Sequence, residues 1–404
     1  MSNPTLRFKS ANGLNFPDTV SCTLSDISKY SKGTIERKNC LFIGNEQLVS
    51  NFGGATLEFR TEAKGTKFNN GDILFGNIRP YLKKVWLSDQ SGIASPDVLI
   101  FKVTDSIPGY LKCILSSERF FNHVAQGYKG SKMPRGDKHQ IMDFRIQCPC
   151  LEEQQKIASF FSTLDQKIEL NERKLEALEK LKKGLMQKIF SQNIRFKNSD
   201  GTNYPEWRTA RFFDIVESII DFRGRTPKKL GLDWAPSATE YLALSALNVK
   251  NWGIDTSAEA HYGDEKLYKK WMTGKELHKG QVLLTTEAPA GIVMQIPDEK
   301  KYILSQRVIA LNVKQDSISE VFLSQLLKSE KVQQDIRKLS TGGTAIGISQ
   351  KSLRNLYLYF PSSIQEQQAI GNLFVSLDDK LQLTKKRVEK LQALKRGFMQ
   401  QMFV

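Results

Sequence analysis

The chain contains one long segment that is present twice. Residues 151–191 and 364–404 align without a gap, and about 17 of the 41 positions are identical, Phe161 and Phe374 among them. The copies lie 213 residues apart, far beyond the period of roughly 20–50 residues that is typical of stacked repeats. The pattern therefore predicts an internal duplication of a whole structural unit.

A second match opens each half of the chain. RFKSANGLNFP begins at Arg7, and RFKNSDGTNYP begins 188 residues later at Arg195. A chain of 404 residues suits two domains with connectors better than one core. The expected unit is a variable body followed by a long helix. We predict a first body at 1–150, a first long helix at 151–194, a second body at 195–363 and a second long helix at 364–404.

Each repeated segment has the pattern of one helix of about 40 residues. Pro149 and Pro361 stand just upstream, where proline ends an extended segment. Ser363 and Glu366 form a Ser-x-x-Glu capping pair. Apolar residues then recur alternately four and three residues apart, the period of a coiled-coil seam. The seam positions are Ile157, Phe161, Leu164, Ile168, Leu175, Leu178, Leu185 and Ile189, then Ile370, Phe374, Leu377, Leu381, Val388, Leu391, Phe398 and Met402.

Polar residues interrupt both seams at matching positions, Asn171 and Thr384, then Lys182 and Lys395. Such residues either fix the register and the partner of a coiled coil, or mark where the apolar stripe turns onto a solvated face, and the pattern leaves both open. Forty residues make a helix of about 60 Å. If the two helices pair antiparallel, we expect the bodies to be held apart and related by a pseudo-two-fold axis.

Both bodies combine short strands, turns and short helices, which predicts the α/β (α+β) class. GDILFGNIRPYLKKVWL from Gly71 reads as strand, turn and strand, and GQVLLTTEAPAGIVMQI from Gly280 occupies the equivalent place. A helix and a glycine-containing loop then precede each long helix. The two loops are GYKGSKMPRGDK at 127–138 and STGGTAIGISQK at 340–351.

The formal net charge of +16 concentrates in the bodies. Residues 1–150 carry an excess of about 7 positive charges and 195–363 of about 5, whereas 151–194 carry about 1. Two polyanion-binding surfaces joined by a nearly neutral connector fit this distribution. The N-terminus lacks a signal-peptide pattern and no apolar run reaches about 18 residues, so we expect a cytoplasmic protein without a membrane span.

The five cysteines all lie in the first 150 residues, which does not suit a disulfide framework for the whole chain. Cys148 and Cys150 have His139 nearby, but no second Cys/His pair stands at zinc spacing. The sequence therefore predicts no metal site.

The two glycine loops and one basic stretch, DFRGRTPKKLG from Asp221, are the candidate nucleic-acid contacts. Glycine lets backbone N–H groups approach a phosphate, and arginine, lysine and tyrosine offer charge, base-edge donors and stacking. The alternative is that these loops only turn the chain and keep lysines in water, or that Arg79 pairs with a carboxylate. The candidate DNA-binding residues are Arg79, Tyr128, Lys129, Lys132, Arg135, Lys138, Arg223, Arg225, Lys228, Lys229, Thr341, Gly342, Gly343 and Thr344.

Motifs of catalysis are missing from the sequence. It has no G-x-x-x-x-G-K-[ST] phosphate loop, no H-E-x-x-H, no Asn/Asp-Pro-Pro-aromatic tetrad of amino-methyltransferases and no acid-x-Lys pair after Asp97. The pattern favours a DNA-binding protein without a catalytic site. A stand-alone methyltransferase or nuclease with a diverged site, and an assembly protein whose coiled coil binds only proteins, are the alternatives.

With these residues in view, the chain resembles the specificity subunit of type I restriction-modification systems along nearly its whole length. The repeated helices LEEQQKIASFFSTLDQKI and IQEQQAIGNLFVSLDDKL carry the resemblance. GDILFGNIRPYL in the first body, and FRGRTPKK, LLTTEAPAG, SQRVIALNV and GISQKSLRNL in the second, support it. The duplicated helix at this spacing is highly specific, whereas each shorter phrase alone is weak.

The resemblance implies two target recognition domains, each reading one half of an asymmetric, interrupted DNA target, and an antiparallel helical spacer that sets the gap. It also implies two adenine methyltransferase subunits docked on the helices, joined by motor-nuclease subunits for restriction. S-adenosylmethionine, ATP and Mg²⁺ are then expected on those partners, with no cofactor on this chain. Cys150 and Ser362-Ser363 stand where a proline often precedes the helix, which affects only where each helix begins.

Overall fold

The computed structural model of the chain divides into two compact units. The first contains Met1–Glu172 and Lys386–Val404, and the second contains Arg173–Lys385. Each unit thus holds one body together with a part of each long helix, whereas the sequence pattern treats the helices as segments of their own. The described residues are 4–130, 132–236, 240–341 and 346–403.

The first body is built on a four-stranded antiparallel sheet. In spatial order its strands are Ser28–Tyr30, Val98–Val103, Ile73–Gly76 and Val85–Leu87. Three further strands, Ile35–Ile43, Glu58–Phe68 and Gly92–Ala94, close into a small barrel, and Val20–Thr23 pairs with Arg145–Cys148. The short helices are Leu24–Ile27, Pro80–Leu82 (3-10), Pro108–Leu115, Glu118–Gln126 and Lys138–Met142.

The second body repeats the four-stranded sheet and the pairing of its first and last strands, and it has an open three-stranded sheet instead of the barrel. Its four-stranded antiparallel sheet has the order Val216–Asp221, Val308–Val313, Val282–Thr285 and Val293–Gln295. The other strands are Tyr262–Gly263, Tyr241–Leu244 and Ile303–Leu304 in one sheet, Val249–Lys250 with Gly253–Ile254, and Trp207–Arg211 with Tyr357–Pro361. The short helices are Phe212–Ile215, Lys228–Leu230 (3-10), Glu265–Met272, Glu320–Lys328, Glu330–Leu339 and Gln350–Leu353. The predicted strand–turn–strand segments are therefore present in both bodies.

The long helices run over Leu151–Phe190 and Ile364–Met402. The first ends four residues before the predicted bound, because Gln192 takes a left-handed conformation (φ 60°). This turn lets the Ile194 N–H donate to the Lys188 carbonyl at 3.2 Å, which satisfies an otherwise unpaired group at the helix end.

Each body packs its core against both long helices. In the first unit Phe75 and Phe120 share one buried cluster with Phe161 of the first helix and Met402 of the second. Burial of each such side chain stabilises the fold by about 1.5–3 kcal/mol. The first body and the helix segments beside it thus form one core.

The second unit has the matching arrangement. Phe322 and Phe360 are buried with Ile189 near the end of the first long helix and Phe374 near the start of the second. The helix segments of this unit are therefore part of its core as well.

A repeated Glu-Gln pair ties the start of each long helix to its body. In the first unit the buried Glu153 carboxylate accepts from Arg7 at 2.6 Å. Gln154 is also buried, and its side-chain oxygen accepts from Ser106 Oγ at 2.8 Å and from the Ile107 N–H at 3.0 Å. Ile107 caps the helix Pro108–Leu115, so one dipeptide fixes both the N-terminal arm and a helix of the body.

The second unit uses the same residues in the same way. Glu366 is fully buried and accepts from Arg195 at 3.4 Å and from Trp207 Nε1 at 3.2 Å. Gln367 accepts from the N–H of Ser319, which caps the helix Glu320–Lys328, at 2.8 Å. The two matches seen in the sequence, at the start of each half and in each long helix, are therefore the two sides of one contact.

The predicted Ser-x-x-Glu capping pair is only half formed. The Glu366 N–H donates to Ser363 Oγ at 3.4 Å, a long bond. The Glu366 carboxylate is turned into the unit toward Arg195 instead of back to the helix start, so the reciprocal capping bond is replaced by a buried ion pair.

Candidate nucleic-acid interface

In the first unit, the predicted loop is closed by its own backbone and held against the strand turn. Lys129 and Arg135 exchange two backbone hydrogen bonds of 2.9 Å, and Ile78 forms a further antiparallel bridge with Arg135. The Arg79 N–H donates to the Pro134 carbonyl at 2.8 Å. The fold therefore brings Arg79 together with the 127–138 loop, although they are more than 40 residues apart in sequence.

The second unit contains the same device. Thr341 and Gly347 exchange backbone hydrogen bonds of 2.9 and 3.0 Å, and Glu287 of the strand turn forms an antiparallel bridge with Gly347. Thr341 is exposed. Of the other predicted contacts in this loop, Gly342, Gly343 and Thr344 lie outside the described residues.

Two cations of the first loop are already paired with aspartates. Arg135 Nη2 lies 3.1 Å from Asp97 Oδ1, and Lys129 forms an ion pair with Asp137. Asp137 also caps the following helix by accepting from the His139 N–H at 2.8 Å. The Lys129 ammonium and the capping N–H groups lower the pKa of Asp137 to about 2. These bonds order the loop.

Three predicted cations of the first unit are exposed and have no side-chain partner among the described residues. They are Arg79, Lys132 and Lys138. Arg79 is therefore not paired with a carboxylate within the described part of the chain. Unpaired lysines and arginines around a backbone loop are the groups that contact phosphates most directly.

Aromatic and apolar side chains stand beside these cations. Tyr128 is half-buried against the core, and burial raises the pKa of its hydroxyl. Tyr81, which the sequence interpretation missed, is more exposed, at 52%, and Met133 is exposed at 46%. Tyr81 follows the Arg79-Pro80 turn directly, and that position next to a turn is the sequence signal that could have identified it.

In the basic stretch of the second unit, most cations are held by local bonds. Arg223 pairs with Asp221 at 2.7 Å, and Lys229 Nζ donates to the Gly224 carbonyl at 2.7 Å. Lys228 is exposed and without a side-chain partner among the residues that the structure describes. It is the cation of this stretch that is most accessible to a polyanion.

Arg225 is half-buried and turned inward. Its guanidinium donates to the Trp271 carbonyl and lies over the Phe222 ring, 4.5 Å from the centroid. Arg225 and Lys228 line a cavity of about 530 Å³ in the second unit. Sequence reasoning missed the other side chains of this cavity, because they come from segments far apart in the chain.

The predicted seam residues of both long helices are all buried or half-buried. In the first unit, Phe160 packs on Phe398 with ring centroids 5.2 Å apart, and Asp165 pairs with Lys395 at 2.5 Å. In the second unit, Lys182 pairs with Asp378, and Phe190 stacks on Phe374 with ring centroids 6.0 Å apart. Residue numbers rise along one helix as they fall along the other, so the helix segments within each unit are antiparallel.

The polar seam residues differ in how they are bonded. Lys182 and Lys395 lie within the helix pairing, because each forms an ion pair with the other helix of its own unit and is only 18% and 22% exposed. Thr384 is buried and donates to the Lys380 carbonyl, and Asn171 is half-buried and donates to the Lys167 carbonyl. The lysines thus favour one register of the seam, whereas Thr384 and Asn171 bond within their own helix.

The described residues contain no group of three or more His, Cys, Asp or Glu side chains placed to hold a metal ion. None of the helices described here is both long and apolar enough to span a bilayer.

The model of one protein family, described as "type I restriction modification DNA specificity domain", matches two regions of the chain, residues 18–180 and 204–393. The chain belongs to this family. Each matched region takes in one body and most of the long helix that follows it, as the duplication predicts. Membership confirms the prediction of a DNA specificity subunit, rather than a stand-alone enzyme.

Known proteins of this family are similar over nearly the whole chain. The type I restriction enzyme MjaVIII specificity subunit of Methanocaldococcus jannaschii is 25% identical over 415 residues, which cover 97% of this chain and 94% of that protein. The crystal structure of the S subunit of a type I restriction-modification system from M. genitalium has a TM-score of 0.67 at 15% identity, covering 100% of this chain and 99% of that one.

A second solved structure, of a type I R-M system, has a TM-score of 0.50 at 16% identity, with 96% of this chain and 97% of that chain covered. At such low identity these structures establish the fold. They confirm the predicted class: two tandem bodies of mixed strands and helices with two long helices.

Proposed function

We propose that this chain selects the DNA target of a type I restriction-modification complex, with each unit reading one half of an asymmetric, interrupted sequence. The observation that carries the proposal is the repeated loop device. In both units a glycine loop is closed by an antiparallel bridge and held against the strand turn, at Ile78 in one and Glu287 in the other. The device is the same but the side chains differ, which suits two readers of different half-sites.

In the first unit, the exposed cations Arg79, Lys132 and Lys138 supply the direct contacts to phosphates or base edges. Lys129 and Arg135 are each paired with an aspartate. Their charge is partly neutralised by those aspartates. They contact DNA either with the positive charge that remains or by leaving the aspartate and binding a phosphate instead. The half-buried ring of Tyr128 packs against the core of the first unit and thereby helps to hold the loop in place.

In the second unit, Lys228 makes the main contact with the phosphate backbone of the DNA. Arg223 and Lys229 of the same stretch, and the exposed Thr341 of the second glycine loop, are secondary contacts. Arg225 acts from within the cavity rather than on the open surface, because its guanidinium is already bonded to the Trp271 carbonyl. The gap between the half-sites is set by the length of the paired helices.

The chain assembles with two copies of one methyltransferase subunit, through the outward faces of the long helices. Leu170 and Leu383 occupy equivalent repeat positions and are 68% and 71% exposed. Leu181 and Leu394, also equivalent, are 49% and 43% exposed. Identical apolar residues left in water at both copies of a repeat support two equivalent docking sites. S-adenosylmethionine, ATP and Mg²⁺ are bound by the methyltransferase and motor-nuclease partners.

The test is co-expression with the cognate methyltransferase, followed by mapping of N6-methyladenine in the host genome. We expect methylation confined to one interrupted motif. Replacement of residues 195–363 by the matching segment of another family member should change one half of that motif and leave the other half unchanged. An unchanged motif after the exchange contradicts the proposal. Native mass spectrometry of the purified complex gives the number of partner copies.

A further inference from the structure

The cavity of about 530 Å³ in the second unit is lined by three aromatic rings, those of Trp234, His261 and Trp271. Trp271 is buried, and its Nε1 donates to the Leu304 carbonyl at 2.9 Å, which fixes the ring. Trp234 packs on Trp271 with ring centroids 5.5 Å apart. His261 stacks on Trp234, with centroids 5.2 Å apart and 12° between the planes. Flat, fixed rings of this kind bind planar ligands.

Three cations line the same cavity. Arg225 and Lys228 come from the basic stretch, and Arg307 comes from the start of the strand Val308–Val313. Arg307 has a left-handed backbone (φ 65°), and its side chain is 52% exposed and 3.5 Å from Glu287. Positive charge next to stacked rings suits a planar heterocycle joined to a phosphate, which is a nucleotide.

Carboxylates narrow the choice of ligand. Asp233 and Glu259 also line the cavity and have no side-chain partner among the described residues. They can accept hydrogen bonds from amino or imino groups of a base. Their negative charge would also repel a second and a third phosphate. The cavity therefore suits a nucleotide with one phosphate better than a triphosphate.

The cavity borders two segments for which we propose DNA contacts. Arg225 and Lys228, which line it, belong to the basic stretch. Ala288 also lines the cavity and directly follows Glu287, whose backbone bridges to Gly347 of the second glycine loop. A nucleotide that belongs to a bound duplex would therefore be close to the cavity.

We infer that the cavity of the second unit takes one base of the bound DNA, turned out of the helical stack. The inference rests on the proposed function and adds a site to it. A base paired within a duplex presents only its edge, so it cannot stack on a ring that lines the cavity. Stacking on Trp234 and contacts with Arg225 and Arg307 offset the cost of unstacking.

The experiment uses the full chain without its methyltransferase partner, so that no partner can extrude a base. The duplex carries the motif mapped by methylation, and each nucleotide of the half-site assigned to residues 195–363 is replaced in turn by an abasic analogue. Equilibrium binding is measured for the wild type and for Trp234→Ala. Trp252→Ala is the matched control, since Trp252 is 49% exposed in the same unit and does not line the cavity.

We expect Trp234→Ala to weaken binding of the intact duplex by about 10-fold, which is within the range for loss of one stacked base. At one position, the abasic analogue should weaken binding to the wild type by a similar factor and have no effect on Trp234→Ala. Trp252→Ala should show the wild-type pattern at every position. His261→Ala, at an exposed ring of the cavity, is the second variant if Trp234→Ala unfolds.

The outcomes separate the inference from the function. If the wild type does not prefer the mapped motif to a scrambled duplex, both fail. If it prefers the motif but no position loses its effect in Trp234→Ala or His261→Ala, only the cavity inference is overturned. Saturable binding of free deoxyadenosine monophosphate without any such position also overturns it, because the cavity would then serve a free nucleotide.

Discussion

Arg79 combines an exposed, unpaired guanidinium with a fixed backbone. The backbone of Arg79 is in the left-handed conformation (φ 49°), and its N–H donates to the Pro134 carbonyl of the glycine loop. A guanidinium that starts from a fixed position loses less entropy on binding than one on a mobile loop. We expect Arg79→Ala to weaken binding of the mapped duplex by about 1–3 kcal/mol if it contacts a base. Alanine is as disfavoured as arginine at this φ, so the backbone strain is unchanged.

Binding of duplexes altered in one half-site at a time measures this effect. Loss of discrimination should be confined to the half-site that the first unit reads. Arg37→Ala, at an exposed arginine on the strand Ile35–Ile43, is the control for the loss of one positive charge. Equal losses of binding free energy for both substitutions would show that Arg79 contributes only to the overall electrostatic attraction between the protein and DNA.

Asp137 provides a prediction about pH. Its pKa of about 2, against an ordinary value of 3.8, is caused first by Lys129 and then by the capping N–H groups of Gln140 and His139. Because the folded pKa is the lower one, this carboxylate stabilises the loop fully above about pH 4, and the contribution is lost as the pH falls toward about 2. Lys129→Met should raise the pKa of Asp137 part of the way to 3.8.

Carbonyl ¹³C NMR of the aspartate-labelled chain follows this titration. Lys132→Met is the matched control, since Lys132 is an exposed lysine of the same loop without a side-chain partner among the described residues. It should leave the pKa of Asp137 unchanged. A similar rise in both variants would mean that the net charge of the loop, rather than the ion pair, lowers the pKa.

At the scale of single residues, the candidate site could be predicted only in part. Composition located the basic loops, because charge and glycine are visible in a short window of sequence. The pairing of Arg135 with Asp97 spans 38 residues and depends on the fold. Trp234 and His261 come from different segments, so the cavity that they form has no local pattern. Long-range contacts decided which predicted cations are accessible.

Secondary structure elements were more predictable than contacts. The 3.5-residue period indicated the paired helices because side chains on one helical face repeat within a few turns. The helix starts at Leu151 and Ile364 agree with the repeat. The role of the Glu-Gln dipeptide is not visible in a short window of sequence. Arg7 and Arg195 lie more than 140 residues from their glutamates, and Ile107 and Ser319 lie 47 and 48 residues from their glutamines.

The lysines of the helix pairing allow a comparison between the units. Asp378 pairs with Lys182, and both are less than 30% exposed. Asp165 pairs with Lys395 at 2.5 Å and also with Lys112 at 2.8 Å. We therefore expect Lys182→Met to cost about 1–3 kcal/mol, because the Asp378 carboxylate is left without its hydrogen-bonded cation. Lys395→Met should cost less, because Lys112 remains bonded to Asp165 at 2.8 Å, whereas Lys328, the other cation near Asp378, donates to the Asn251 carbonyl.

Hydrogen exchange measures these costs as the free energy of opening of the helix segments, 173–190 for Lys182→Met and 151–172 for Lys395→Met. The double variant Lys182→Met with Asp378→Leu should recover most of the loss, since replacement of a partly buried ion pair by apolar residues is often neutral. Equal losses in the two single variants would contradict the role assigned to Lys112.

At the scale of the whole molecule, the duplication divides two tasks. The parts that repeat, the arm at Arg7 or Arg195 and the Glu-Gln pair, join a body to the helices. The parts that differ, the loop side chains and the cavity residues, are those for which we propose DNA contacts. A change in one body can therefore alter one half-site without disturbing the joint to the helices.

The helices themselves carry the last prediction. Insertion of seven residues at equivalent points of both helices, after Glu172 and after Lys385, keeps the seam in phase and adds about 10.5 Å of helix. If helix length sets the gap, the methylated motif should keep both half-sites and widen its gap by about 3 base pairs. An insertion of four residues puts the seam out of phase, so it should lower helix stability and methylation. Methylation mapping of both variants decides this, and a changed half-site sequence in the seven-residue variant would mean that the helices contribute to base recognition.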